Sequence, residues 1–184
     1  MPEMRPFLLC ACGALAFAAC DATNTTLDEG RAGPPEAIDR VEITLTGPTT
    51  ETFVVNGLAS GGPIPSAEGV DLDSLATYTG QIRFADDVDA EIRAEVESHR
   101  VEFAPSSDAI AVEITDRESL YAVQNLNDGD YPVGLRFRLT TTNRTGPAAL
   151  EVRLRHYEGA PKTSAAGGGS VDVTVTVPLV IEAD

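Results

Sequence analysis

From Ile38 onward, apolar and polar residues alternate with a period of two along most of the chain. Val41, Ile43 and Leu45 alternate with Glu42, Thr44 and Thr46, which predicts a half-buried strand. Gly47-Pro48-Thr49-Thr50 turns it, and residues 52–56 return as a second strand, so the pair reads as a hairpin. Residues 57–74 read as loop, because Gly61, Gly62, Pro63 and Pro65 break any regular element. Tyr78, Gly80, Ile82 and Phe84 share one parity and predict a third strand over 76–84.

One segment has helical spacing. Asp87 or Asp89 can cap a helix over residues 89–97, with Ile92 and Val96 on one face and Arg93 four residues before Glu97. The competing pattern is a strand through Ile92, Ala94 and Val96. Strands follow at Val101 and Phe103, and at Ile110, Val112 and Ile114; Asn127-Asp128-Gly129-Asp130 is a turn. Val133, Leu135, Phe137 and Leu139 form the most regular alternation up to that point, turned at residues 143–147 into Leu150, Val152 and Leu154. Residues 158–170 form a Gly-rich loop. The last strand places Val171, Val173, Val175, Val177, Leu179 and Ile181 on one face. Pro178, on the other parity, predicts a sheet edge or a bulge.

The predicted fold class is mainly β: a two-sheet antiparallel Ig-like sandwich of about eight strands with one short helix. A signal peptide and a disordered tether precede it. Abundant Thr and Val, aromatic residues at 5% and no Trp agree with that class.

The alternation is absent before residue 38. Residues 7–19 are apolar apart from Gly13, a run of 13 residues. A spanning helix needs about 20 residues to cross about 30 Å of hydrocarbon, so this run reads as the core of a cleaved signal peptide over residues 1–19. It ends in Phe17-Ala18-Ala19-Cys20, a lipobox pattern in which small residues precede the thiol that accepts a diacylglycerol. Phe17 stands where an aliphatic residue is usual, and Ala16-Phe17-Ala18 also fits ordinary A-x-A cleavage. Cys10, Cys12 and Cys20 are the three cysteines, so cleavage before Cys20 leaves one, itself acylated, and neither a disulfide nor a thiolate metal site. Residues 20–37, with Gly33-Pro34-Pro35, read as the lipidated cysteine and its tether to a single domain at 38–184.

The chain carries 29 acids against 13 bases, a net charge of −16. Losing residues 1–19 removes one of each, Glu3 and Arg5, so the exported chain keeps that charge. Such a surface repels nucleic acid and anionic headgroups, which leaves the lipid on Cys20 as the link to a membrane. Twelve of the bases are arginine and one is Lys162.

Chemistry is concentrated in the two histidines. His99 shares the parity of Val101 and Phe103, and His156 that of Leu150, Val152 and Leu154, so each lies at a strand end on the apolar face. Two neutral imidazoles meeting at one end of a sandwich, with Glu97 or another carboxylate, would suit zinc or copper. The bland reading is two independent strand-end histidines. Asp86, Asp87 and Asp89, and Asp128 with Asp130, lack the EF-hand order and read as turn and cap residues. There is no Gly-x-Ser-x-Gly, P-loop or HExxH motif, and Gly167-Gly168-Gly169-Ser170 precedes no helix that would cradle phosphate. The expectation is a protein that is not an enzyme.

The run Val152-Arg153-Leu154-Arg155-His156-Tyr157-Glu158-Gly159, then Lys162, the Gly-rich loop and the strand VDVTVTVPLVIE, resembles a family of acidic bacterial envelope lipoproteins. Some of these are labelled type 1 periplasmic-binding-domain proteins. Tyr78-Thr79-Gly80 and Glu97-Ser98-His99 before Val101-Glu102-Phe103 extend the resemblance to about residues 38–183. It implies a lipid-anchored binding or accessory module facing the periplasm or cell surface, with an outer-membrane transporter as the partner it would serve, and it assigns no catalytic residue.

Overall fold

The computed structural model describes residues 38–58, 64–65, 69–121, 129–157, 162–163 and 165–183. The expected signal peptide, Cys20 and the tether lie outside the described residues, as do Asn127 and Asp128.

Among the described residues, ten strands form two sheets. In chain order they are β1 (Arg40–Thr46), β2 (Thr50–Asn56), β3 (Ile64–Pro65), β4 (Val70–Asp73), β5 (Thr77–Phe84), β6 (His99–Pro105), β7 (Ile110–Ile114), β8 (Arg136–Thr141), β9 (Gly146–His156) and β10 (Ser170–Glu182). The helix α1 (Asp86–Ala94) joins β5 to β6, and a short 3-10 turn covers Glu118–Leu120. One sheet has the order β3-β2-β1-β5-β8-β7 and the other β4-β10-β9-β6. The protein is the mainly β two-sheet sandwich with one short helix that its period-two pattern predicts. Among the described residues no helix is long and apolar enough to cross a membrane.

The alternation becomes a core directly. Val41, Ile43, Leu45, Phe53, Val55, Tyr78 and Ile82 of the larger sheet are buried, and they meet Val101, Leu150, Val152, Leu154, Val175, Val177 and Leu179 of the smaller one. Phe103 of β6 tilts against Phe137 of β8 across the gap, with ring centroids 4.5 Å apart. Gly80 lies under Phe137, where a Cβ would come within 2.1 Å of the ring's Cζ. The strand position therefore needs a residue without a side chain.

Four elements differ from the sequence pattern. Residues 57–74 contain β3 and β4, and β4 pairs with residues 179–182 of β10 in parallel, so the sheets are not purely antiparallel. Val-Asp-Leu-Asp is too short to stand out as a strand, and its partner lies at the far end of the chain. The helix starts three residues earlier than expected, capped by no side chain. Asp87 and Asp89 sit inside it: the Asp87 carboxylate accepts from the Val88 N–H, and Asp89, not Glu97, pairs with Arg93 at 2.6 Å. Val133 and Leu135 are fully buried but precede β8, because Gly134 takes φ +90° and the chain turns there. A Cβ on Gly134 would lie 2.4 Å from the Val101 carbonyl oxygen.

Pro178 is at an edge, as expected. Among the described residues, β10 up to residue 178 has β9 on one side and no strand on the other; β4 begins to pair at Leu179. The bulge lies elsewhere. The ladder with β9 slips between Val171 and Val173, so Asp172 falls between two paired positions, and Val171 turns outward, 44% exposed.

Candidate metal centre

The first residue of β6 and the last of β9 are both histidine. The antiparallel register pairs Val101 with Leu154 and Phe103 with Val152, and at the strand ends the same register places His99 opposite His156. Cross-strand partners share a face, so both imidazoles point to the core side. The rings stack with centroids 4.4 Å apart and planes inclined by 23°. His99 is fully buried and His156 half-buried.

Asp172 is the third member. On a regular strand its parity would send it to solvent, opposite Val171 and Val173. The bulge instead re-aims it. One ligand atom from each of His99, His156 and Asp172 lies within 4.8 Å of the other two. The two histidines thus meet, which the strand parities allowed but left open, and the carboxylate beside them is Asp172. Glu97, the carboxylate named from the sequence beside the alternative of another, is not one of the three. Asp172 escaped notice because the bulge leaves no mark in the alternating VDVTVTV.

The electrostatics favour neutral imidazole. Burial pushes the His99 pKa below the ordinary histidine value, and the neighbouring His156 acts in the same direction, against the Glu95 carbonyl and Asp172. Two imidazolium charges 4.4 Å apart would repel by about 4 kcal/mol at an effective dielectric of about 20. The Nδ1 of His99 is 2.9 Å from the Glu95 carbonyl oxygen. A carbonyl only accepts, so Nδ1 carries the hydrogen and Nε2 of the neutral ring carries the lone pair. This main-chain partner is the type that fixes the tautomer of metal-bound histidines.

Two neutral imidazoles and a carboxylate form a donor set for zinc or copper. Donor atoms on a tetrahedral zinc sit roughly 3.3 Å apart when the bonds are about 2.0–2.1 Å.

No protein-family model, curated protein or solved structure matches this chain.

A second polar cluster adjoins the centre. The Lys162 ammonium is fully buried and donates to the carbonyls of Val96 and His99, each at 2.8 Å, with the Glu118 carboxylate at 3.0 Å. Burial lowers the Lys162 pKa, and Glu118 opposes that shift. Asp116, also fully buried, accepts from the backbone N–H groups of Gly134 and Arg136 and from the Tyr121 hydroxyl. Arg100 donates to the carbonyls of Thr163 and Ala165, holding the β9–β10 loop. The sole clue to Lys162 in the sequence was that the other bases are arginine.

Among the described residues, Asp130 and the Gly-rich loop have structural partners. Asp130 accepts from the N–H and hydroxyl of Ser119, which sets the 3-10 turn and draws its pKa down. The Gly167 N–H donates to Glu102 at 2.5 Å, and the Gly168 carbonyl accepts from Arg155. That part of the Gly-rich loop thus grips an internal carboxylate.

Proposed function

We propose that this protein is a lipid-anchored, non-enzymatic module of the bacterial envelope that captures a zinc or copper ion with His99, His156 and Asp172. The observation that carries the reading is the placement of Asp172 by a bulge beside two histidines paired across β6 and β9. Each histidine alone has an ordinary role at a strand end. A third ligand-type side chain brought to the same spot by an interruption of the ladder does not follow from the packing of the sheet. Three protein donors leave a fourth position open, which suits an ion that is taken up and passed on. The lipobox at Cys20 supports anchoring, and the −16 charge supports electrostatic attraction of cations rather than of anionic surfaces. Delivery to an outer-membrane transporter is the role this reading gives the module.

Metal analysis and calorimetric titration of the full-length protein in detergent test it. One equivalent of Zn²⁺ or Cu²⁺ is expected to bind, and His99→Ala and His156→Ala are each expected to abolish that binding. Undiminished binding by the double variant would overturn the proposal and leave a β-sandwich accessory module whose histidine pair is structural.

A further inference from the structure

We propose that Lys162 is the positioning residue of the His99–His156–Asp172 centre; the proposal rests on the metal-binding reading above. The Lys162 side chain touches none of the three donor groups through its own charge. Its ammonium instead donates to the carbonyls of Val96 and His99, each at 2.8 Å, and to Glu118 at 3.0 Å. Val96 and His99 bracket the turn between α1 and β6, so both carbonyls that Lys162 holds belong to the backbone carrying the buried imidazole. The ring itself is held by Glu95. His99 is therefore fixed twice, through its main chain by Lys162 and through Nδ1 by the Glu95 carbonyl.

Lys162 also belongs to the loop between β9 and β10, which joins the strand ending at His156 to the strand that carries Asp172. Arg100, the residue after His99, binds the same loop at the carbonyls of Thr163 and Ala165. The loop is thus tied to the start of β6 at residues on both sides of the His99 backbone. Through it the three donors are referred to one another.

An apolar pair would fill this space as well or better for stability alone, because burying both charges costs desolvation that their attraction only offsets. An apolar side chain at 162 could not hold the two carbonyls. The ammonium is the group that a positioning role requires.

The test compares Lys162→Met with Lys162→Met/Glu118→Leu in the full-length protein, using Co²⁺ as a spectroscopic stand-in for Zn²⁺. The single variant leaves Glu118 buried without its lysine and is expected to lose stability. The double variant removes both charges and is expected to regain parental melting. If Lys162 positions the centre, the double variant still binds Co²⁺ about tenfold or more weakly, with an altered visible absorption spectrum. Parental affinity and spectrum in the folded double variant would overturn the positioning role while leaving the metal centre intact. Failure of the parent protein to bind Co²⁺ or Zn²⁺ at all would overturn the centre itself.

Discussion

The imidazole of His99 lies face to face with that of His156, with centroids 4.4 Å apart, because the two residues are direct partners in the β6–β9 ladder. Register alone brings them together. The same register would place any residue pair there, and nothing about a sheet calls for histidine at both ends. Asp172 then arrives from the third strand through one extra residue in β10.

Deleting Asp172 should leave a regular ladder between β9 and β10. The deletion variant is expected to fold with a melting temperature near that of the parent and to lose metal binding. Asp172→Asn should keep the bulge and weaken binding. Calorimetric titration and thermal melting check both, and a deletion variant that binds metal normally would remove Asp172 from the centre.

Phe137 and Gly80 form a tightly matched contact in the larger sheet. Gly80→Ala should destabilise by about 1–3 kcal/mol, typical of overpacking, because its methyl would meet the Cζ end of the buried Phe137 ring. Phe137→Ala should cost about 3–5 kcal/mol through the cavity it leaves. The two changes combined should be less harmful than their sum, since the smaller side chain at 137 makes room at 80. Urea unfolding of the four proteins measures this, and strict additivity would show that the contact is not the source of either loss.

Lys162 is the chain's one lysine and its side chain is fully buried. In the native protein it is expected to resist acylation by amine-reactive esters, and to react once the protein is unfolded in denaturant. Mass spectrometry of the peptide containing Lys162 reads the result. Ready labelling under native conditions would contradict its burial.

At alkaline pH three of the four tyrosines should matter together. Burial raises the pKa of Tyr78, Tyr121 and Tyr157 above the ordinary value, and for Tyr121 the hydrogen bond to Asp116 adds to the effect. Above about pH 10 the unfolded chain loses these phenolic protons while the folded chain keeps them. The folded state then binds more protons, so stability falls as pH rises through that range. Tyrosinate absorbance should rise together with loss of near-ultraviolet circular dichroism. Full tyrosinate formation in a protein still folded by circular dichroism would contradict it.

The sandwich was legible because its signal is local and repeated. Val41, Ile43 and Leu45, or Leu150, Val152 and Leu154, are buried as their alternation requires, and the pleat alone sets which face they take. The helix was legible as an element with Ile92 buried, but not in its bounds: no side chain caps its start, and Val96, expected on the same face, lies past its end at Ala94. The histidines were legible as strand-end, core-facing residues for the same reason as their apolar neighbours.

What only the tertiary structure decided depends on contacts between distant parts of the chain. The parallel pairing of β4 with β10 joins residues 70–73 to 179–182, and no local pattern announces it. A bulge is a property of two strands in register, so one sequence read alone puts Asp172 on the solvent face and proposes Glu97 in its stead. The burial of Lys162 depends on a loop folding back onto the turn before β6, which follows from the fit of its ammonium to two carbonyls and a carboxylate. By itself the sequence determined the layers and the faces, since these repeat every two residues. The convergence of His99, His156 and Asp172 on one point was decided by strand register, which exists only once the sheets have formed.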